Sequence, residues 1–184
     1  MNNAAVNYGN ALYELSKDRG LSQKILGEFE EVAKILEENP DYVRVLSLTS
    51  LSKAERCGLL DGAFSGKIEQ YLLNYLKVML ENGHIRSAAE SFGQYKKRYY
   101  EDAGIEEAYV SSAVALTEDQ RRRLTDKLAS LTGKDVILHT SVDEKLIGGI
   151  RLELPDRQYD GSVRHQLDVL RKVLSEAAVE PRTE

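Results

Sequence analysis

The sequence predicts a protein of two domains, an all-α bundle of six helices over residues 1–104 and a smaller α+β domain over residues 105–184. From residue 4 to about 103 the apolar residues recur at the spacing of amphipathic helices, without the sustained alternation of a half-buried strand. After Gly104 the apolar period changes to two, which is typical of strands. This change of period marks the expected domain boundary.

Two helices at the start of the chain are predicted from their apolar stripes. The second stripe stops at Asn39, because Pro40 disfavours helix in the residue before it. The stripes consist of Ala5, Tyr8, Leu12 and Leu15 in the first helix and of Leu21, Ile25, Phe29, Val32 and Leu36 in the second.

The next helices of the first domain are marked mainly by their ends. A short third helix is predicted around residues 42–46, and Ser52 with Glu55 has the spacing of a capping box that starts the fourth. The fifth helix stops before Gly83, and the sixth ends at a glycine cap at Gly104. Short connections between these elements predict a compact bundle.

The fifth helix, predicted over residues 67–81, is apolar almost all round, since only Asn74 and Lys77 are polar over its middle. A surface helix of a small bundle needs only one apolar stripe. This helix is therefore either central or offers one face to a partner, and both interpretations stay open. The first helix contributes small residues that would let another helix approach closely and so form a groove. These are Ala4, Ala5, Gly9 and Ala11.

The second domain is predicted to begin with a strand in which Ala108, Val110, Ser112 and Val114 share one side. A capping box then starts a helix that ends at a glycine cap, and two strands follow on either side of a glycine pair. That pair indicates a β-bulge or a close approach of two backbone segments. The residues are Thr117 and Gln120 for the box, Gly133 for the cap, 136–138 and 150–154 for the strands, and Gly148 with Gly149 for the pair.

A final helix is predicted to follow the last strand. Ser162 can accept hydrogen bonds from the first turn of this helix, as N-cap residues do. Its inner face would consist of Val163, Leu167, Leu170 and Leu174.

Composition excludes several classes of protein. Of the 184 residues 42% are hydrophobic and 30% charged, which is ordinary for a globular protein, and no apolar run approaches the ~18 residues of a spanning helix. The net charge of -5 argues against nucleic-acid binding as the main task. The single cysteine, Cys57, fits a reducing compartment. The N-terminal residues lack the pattern of a secretory or transit peptide, so we expect a bacterial cytoplasmic setting.

The sequence contains no pattern of residues that predicts catalysis or a cofactor. His84, His139 and His165 fall in different elements and lack metal-ligand spacing, so neither a metal nor another cofactor is expected. Ser50 to Lys53 match S-x-x-K without the accompanying motifs of that enzyme class. An enzyme built on Asp143, Asp160 and Ser162 would need these side chains to converge, whereas a turn residue and a helix cap are simpler interpretations.

The segment from Val136 to Ser162 resembles the C-terminal signature of the delta subunit of F-type ATP synthases, the counterpart of the mitochondrial oligomycin-sensitivity-conferring subunit. The resemblance covers nearly the whole chain, and VMLENG over residues 78–83 resembles the ending of the family's fifth helix. Two departures are His84, where the family most often has arginine, and Leu154-Pro155-Asp156 in place of an isoleucine-glycine turn. The signature residues here are Asp143, Leu146, Gly148, Gly149, Asp160 and Ser162.

The resemblance implies a stator subunit without chemistry of its own. Its helical domain would bind the N-terminal segments of alpha subunits on the catalytic head, with beta subunits as further candidates, and its C-terminal domain would engage the b-type subunits of the peripheral stalk. The protein would lie at the cytoplasmic face of the bacterial membrane, attached through the complex.

Slow dissociation from alpha would be favoured by an apolar groove between the first and fifth helices. We predict that the residues of this groove are Tyr8, Ala11, Leu12, Leu72, Leu76 and Met79. A general helical adaptor with an α+β appendage is the alternative function, because it would share the spare apolar surface without preferring ATP synthase subunits.

Overall fold

The computed structural model describes residues 3–48, 50–155, 157–163 and 167, and the chain divides into two compact units, Met1–Ala103 and Gly104–Glu184. The described residues are mostly helical, with seven α-helices and a small sheet of four strands in the second unit. This confirms the prediction of a helical first half and of a second half that combines helix and sheet. No helix in these described ranges is both long and apolar enough to cross a membrane.

The first unit contains helices joined by short connections. A 3-10 helix, Ile85–Ser87, precedes the last of them. The α-helices are α1 Asn3–Asp18, α2 Ser22–Glu38, α3 Pro40–Leu46, α4 Lys53–Phe64, α5 Gln70–Glu81 and α6 Ala88–Ala103.

Local signals in the sequence set several of these boundaries. Pro40 occupies the first turn of α3, where its missing N–H leaves no hydrogen bond unmade. The predicted capping box before α4 is confirmed, because the Glu55 N–H donates to Ser52 Oγ at 3.2 Å and the Ser52 N–H donates to Glu55 Oε2 at 2.8 Å. Such a box satisfies two backbone donors that the helix itself cannot satisfy.

Aromatic rings form the centre of the first unit's core. Phe29 is fully buried, and its ring makes edge contacts with Tyr75, Phe92 and Tyr95 at centroid distances of 5.6, 5.4 and 6.1 Å. The Tyr95 hydroxyl is also buried, 2.7 Å from Ser16 Oγ and donating to the Ser22 carbonyl at 3.0 Å. The Tyr95 hydroxyl is therefore satisfied by neighbouring groups of the first unit, as a buried hydroxyl requires.

Gly9 lies at the closest approach between α1 and α6. A Cβ at this position would lie 2.5 Å from the Ser91 carbonyl oxygen and 2.8 Å from Gln94 Cβ. The helix that packs closely against Gly9 is thus the chain's own α6. The expectation that Gly9 leaves room for a helix of a partner protein was wrong, because this side of α1 is already covered.

The second unit forms a sheet with strand order β2-β1-β3-β4. The first two strands are parallel and the other pairs are antiparallel. A parallel pair needs a crossover connection, and a helix between the two strands supplies it. The elements are β1 Ile105–Ser112, α7 Glu118–Thr132, β2 Asp135–Val142, β3 Ile150–Glu153 and β4 Gln158–Asp160.

The helix α7 begins and ends as predicted. Thr117 and Gln120 form the capping box, and Gly133 ends the helix in the left-handed conformation, with φ 69°. On its inner face Leu128 packs with Ala108 and Val110 of β1 and with residues of β2 and β3 in the core of the second unit. Val114, predicted on the inner side of the first strand, lies beyond β1 and is exposed, because the strand ends at Ser112.

The predicted final helix is described only at its start. Val163 and Leu167 are helical, whereas Leu170 and Leu174 lie outside the described residues.

Candidate partner-binding surface

The fifth helix buries one face completely. Leu72, Leu76 and Met79, three of the residues predicted to line a groove, are fully buried in the core together with Leu73 and Leu80. Leu12 of α1 is buried in the same core. These four predicted residues therefore have no surface to offer a partner, and their placement in a groove was wrong. The physical reason is that the positions at three- and four-residue spacing with the largest aliphatic side chains form the stripe that packs inward.

The helices α1 and α5 lie side by side and run in opposite directions. At one end the Tyr8 and Tyr75 rings meet edge to face at 6.1 Å, and Asn82 Nδ2 donates to the Tyr8 hydroxyl at 3.0 Å. At the other end the Arg19 guanidinium lies 5.5 Å from the centre of the Tyr71 ring. The two helices were correctly paired in the sequence-based prediction, although the wrong face of α5 was chosen.

Each of these two helices also carries exposed apolar side chains. Val78 is 47% exposed, Leu15 and Ala11 are exposed, and the tyrosines are partly buried. We call this set the α1–α5 surface. It consists of Tyr8, Ala11, Leu15, Tyr71, Tyr75 and Val78.

Tyr75 is anchored from within the unit. Its hydroxyl hydrogen-bonds with Ser91 Oγ on α6, and burial raises the pKa of the phenol well above its usual range, so it stays neutral. The hydroxyls of Tyr8 and Tyr75 are thus both satisfied by the first unit itself, which leaves their rings for apolar contact. The α1–α5 surface can accept an apolar partner without leaving these hydroxyls unpaired.

Four residues of the α1–α5 surface were missed from the sequence, namely Leu15, Tyr71, Tyr75 and Val78. One signal could have found two of them. Tyrosine combines a large apolar ring with a polar tip and is favoured where one side of a residue is buried and the other is exposed. In α5 the tyrosines lie one position before Leu72 and Leu76, on the flank of the buried stripe.

The residues of the predicted C-terminal signature hold turns together. Asp143 Oδ1 accepts from the Lys145 N–H at 3.0 Å, and Asp160 Oδ1 accepts from the Ser162 N–H at 2.9 Å. Leu146 and Ser162 are buried. Asp143 and Asp160 were also considered as catalytic groups. These hydrogen bonds give each carboxylate a structural role instead, because each one stabilises the turn in which it lies.

The glycine pair of the signature allows two backbone segments to approach. Gly149 has φ +82°, and a Cβ there would lie 2.3 Å from the Gly161 carbonyl oxygen and 2.9 Å from Ser162 Cα. The Val163 N–H donates to the Gly148 carbonyl at 3.0 Å. The predicted close approach is therefore confirmed, and it positions the start of the final helix against the entry to β3.

The histidines of the described ranges have local partners. His139 Nε2 lies 2.9 Å from Glu107 Oε1 and its ring stacks on Tyr109, while the His84 ring lies 5.6 Å from that of Tyr8. His165 lies outside the described residues. No group of three or more metal-ligating side chains occurs among the residues that the structure describes.

Known proteins are similar to nearly the whole chain. Residues 4–174 match the family described as "ATP synthase delta (OSCP) subunit". The "ATP synthase subunit delta" of Halalkalibacterium halodurans is 31% identical over 175 residues, covering 94% of this chain and 96% of that protein. The protein of the same name from Moorella thermoacetica is 32% identical over 175 residues, covering 95% and 98%.

A chain in the cryo-EM structure of the Toxoplasma gondii mitochondrial ATP synthase hexamer has a similar fold. Its TM-score is 0.68 over 92% of this chain and 96% of that chain, with 16% sequence identity. At this identity the similarity supports the fold alone.

Proposed function

This chain belongs to the ATP synthase delta (OSCP) subunit family, and we propose that its two units divide the work of a stator between them. It is a non-catalytic subunit of F-type ATP synthase that links the catalytic head to the peripheral stalk. In our proposal the first unit binds the head and the second unit binds the stalk.

The first unit binds the N-terminal segment of an alpha subunit on the α1–α5 surface. The observation that carries this proposal is the row of exposed or half-buried apolar side chains on two adjacent helices, which includes Leu15, Tyr75 and Val78. Such a row on two parallel or antiparallel helices is complementary to the apolar face of a third, amphipathic helix. Tyr8 and Ala11 are the two residues of the sequence-based prediction that remain in this role.

The role of such a contact is mechanical. Rotation of the central shaft exerts torque on the head, and the stator holds the head fixed so that rotation drives ATP formation. A contact under sustained load must dissociate slowly, and desolvated apolar anchors lower the dissociation rate more than exposed charges at a rim do. The acidic composition of the chain fits protein partners and not nucleic acid.

The second unit engages the end of the b-type stalk subunits, and beta subunits of the head are further candidate partners of the first unit. The protein then lies at the cytoplasmic face of the bacterial membrane, where the complex holds it. The second unit's exposed apolar side chains support a binding role, since apolar surface beyond scattered single residues marks interaction sites.

Calorimetric titration of the chain with a synthetic peptide from the N-terminus of the same organism's alpha subunit tests the head contact. We expect saturable binding with a negative heat-capacity change, the signature of apolar burial. Absence of binding to the folded chain would remove the α1–α5 surface from the proposal and favour the general adaptor.

A further inference from the structure

Four elements of the first unit meet around a small cavity. α3 packs with α4 and with the 3-10 helix, which in turn packs with α5. The cavity measures about 320 Å³, at the lower end of the roughly 300–1,000 Å³ of small-molecule sites. Leu46, Leu80 and Ile85, which are fully buried, form its apolar wall. We call it the Arg56–Arg86 pocket, because both of these arginines line it.

The pocket contains two positive charges without a matching negative charge. Among the described residues that line it, Arg56 and Arg86 are cationic and none is a carboxylate. Neither arginine forms an ion pair in the described part of the chain. Arg44, also nearby on α3, differs in this respect, because its Nη2 lies 3.3 Å from Asp41 Oδ1. The excess of positive charge is thus specific to the pocket.

Most N–H donors of the two guanidinium groups have no acceptor among the described residues. Arg56 Nη1 donates to the Leu46 carbonyl at 3.4 Å, and Arg86 Nε donates to Ser47 Oγ at 3.2 Å. These bonds hold the end of α3 and use one of the several donors that each group carries. Arg56 Nε is buried and has no hydrogen-bond partner in the described ranges. Buried donors without an acceptor are rare, so this atom indicates a place for an acceptor.

Carboxylates of the neighbouring elements do not supply that acceptor. Glu55 of α4 closes the capping box at the start of its helix, and Glu81 Oε1 of α5 lies 3.8 Å from Cys57 Sγ. Glu37 lines a second cavity that Arg86 also touches, but the two form no ion pair in the part of the chain that the structure describes. Holding the end of α3 therefore explains one hydrogen bond from each arginine and leaves the paired charge of the pocket unexplained.

We propose that the Arg56–Arg86 pocket binds a phosphate-type oxyanion. Guanidinium groups bind phosphate oxygens through parallel N–H donors, and two of them match the charge of such an anion. Arg56 turns toward the pocket and brings Nε onto the ligand, while Arg86 supplies the second charge. The apolar wall keeps water away and so strengthens both contacts. Free phosphate and the phosphoryl group of a nucleotide share this chemistry.

The test is calorimetric titration of the full chain with inorganic phosphate, with the ionic strength held constant by chloride. We expect saturable binding that Arg86→Gln weakens about tenfold or more, because a charged hydrogen-bond donor is lost. Arg44→Gln is the matched control, since Arg44 is exposed, pairs with Asp41 and does not line the pocket. Both arginines are exposed, so we expect circular dichroism to show both variants folded.

The Nε–Hε resonances of the arginines, observed by NMR, report on the site directly. Saturation with phosphate should shift the Arg56 resonance and leave that of Arg44 in place. Arg56→Lys keeps the charge but loses the planar pair of donors, so it should weaken binding several-fold. Equal affinities of Arg86→Gln and the wild type, or equal weakening by Arg44→Gln, would overturn the proposal.

Titrations with ATP and adenosine identify the source of the oxyanion. Tighter binding of ATP than of phosphate, lost in Arg86→Gln, would support the site and assign it to nucleotide phosphoryl groups. Adenosine binding as tightly as ATP would overturn the proposal, because adenosine carries no phosphate. Absence of binding of both phosphate and ATP to the folded wild-type chain would overturn it as well. The head contact is tested separately by the alpha peptide, so failure of this inference would leave the proposed function standing.

Discussion

The two units differ in how completely their described residues bury their apolar side chains. In the first unit, side chains from all six α-helices pack into one core around Phe29 and Tyr95. In the described part of the second unit the buried cluster consists of Ala108, Val110, Leu128 and Leu152, and several large apolar residues remain exposed. Among the described residues, large exposed apolar side chains are therefore fewer in the first unit than in the second, although the first unit has more described residues.

This difference shows how each unit can serve as a connector. A well-packed helical unit can present one defined row of apolar residues, the α1–α5 surface, without depending on a partner for stability. A small two-layer unit has less area to bury, so a partner that binds it would add to its stability. The following experiments test this contrast, from the largest expected effect to the smallest.

Phe29→Ala has the largest expected effect and tests whether the first unit's own core accounts for its stability. Removing a fully buried ring at the centre of the core should lower the free energy of unfolding by about 3–5 kcal/mol. Urea denaturation followed by circular dichroism at the helical band measures this loss. A change below about 1 kcal/mol would mean that the core relaxes around the cavity and that the contrast between the units is overstated.

Gly149→Ala tests the turn that holds the second unit together. The new methyl group would meet the Gly161 carbonyl at 2.3 Å in a backbone conformation with φ +82°, so we expect a loss of about 2–3 kcal/mol from strain and displacement.

Gly148→Ala is the matched control for this prediction. Its methyl group would meet the end of the Val163 side chain at 3.2 Å, and that side chain can shift by a small amount. Hydrogen exchange of the β3 amides compares the two variants. Equal protection in both would contradict the role assigned to Gly149.

Val78→Asp tests whether the first unit's exposed row is a binding site. We expect the alpha peptide to bind about tenfold more weakly or worse, which is a loss of roughly 1.4 kcal/mol, with the unfolding free energy almost unchanged. Ile35→Asp is the control, because Ile35 is 43% exposed on α2, outside the α1–α5 surface. Similar affinities of the two variants in calorimetry would contradict the assignment.

The smallest effect concerns Asp102 at the end of α6. A hydrogen bond and ion pair with Lys17, and a hydrogen bond from Tyr13 at 2.7 Å, lower the pKa of the Asp102 carboxyl. A folded-state pKa below the unfolded value adds stability above the unfolded pKa, and this is lost as pH falls through the folded pKa. Melting temperatures measured below about pH 4 should therefore fall less steeply for Asp102→Asn than for the wild type. Parallel curves would show that solvent screens the pair completely.

Much of the local structure could be predicted from the sequence because its causes are local. The capping boxes at Ser52 and Thr117 and the helix end at Gly133 depend on a few neighbouring residues. The resemblance of the second half to the delta family also depended on residues close together in the chain, above all Gly148 and Gly149. These features follow from hydrogen bonds and backbone sterics within about one turn of chain.

The faces of the helices could not be predicted in the same way. Periodicity identified α5 as unusually apolar, yet it did not distinguish the stripe of Leu72 and Leu76 from the flank of Tyr71 and Tyr75. The sequence of a single apolar helix does not show which of its faces the neighbouring helices will cover. That choice is made by the packing of α5 with α1, α4 and the 3-10 helix.

The sequence by itself determined the six α-helices of the first half, the strand, helix and two strands that follow, several of their ends and the family, since each of these depends on residue types at short spacing. It did not predict the 3-10 helix or the short strand β4. Only the tertiary structure decided that Gly9 admits α6 instead of a partner, that β1 and β2 run parallel, and that Val78 is exposed while Met79 is buried. The physical reason is that burial and pairing depend on contacts between residues far apart in the chain, and adjacent positions of one helix differ by about 100° in direction. A shift of one residue therefore exchanges a core side chain for an exposed one.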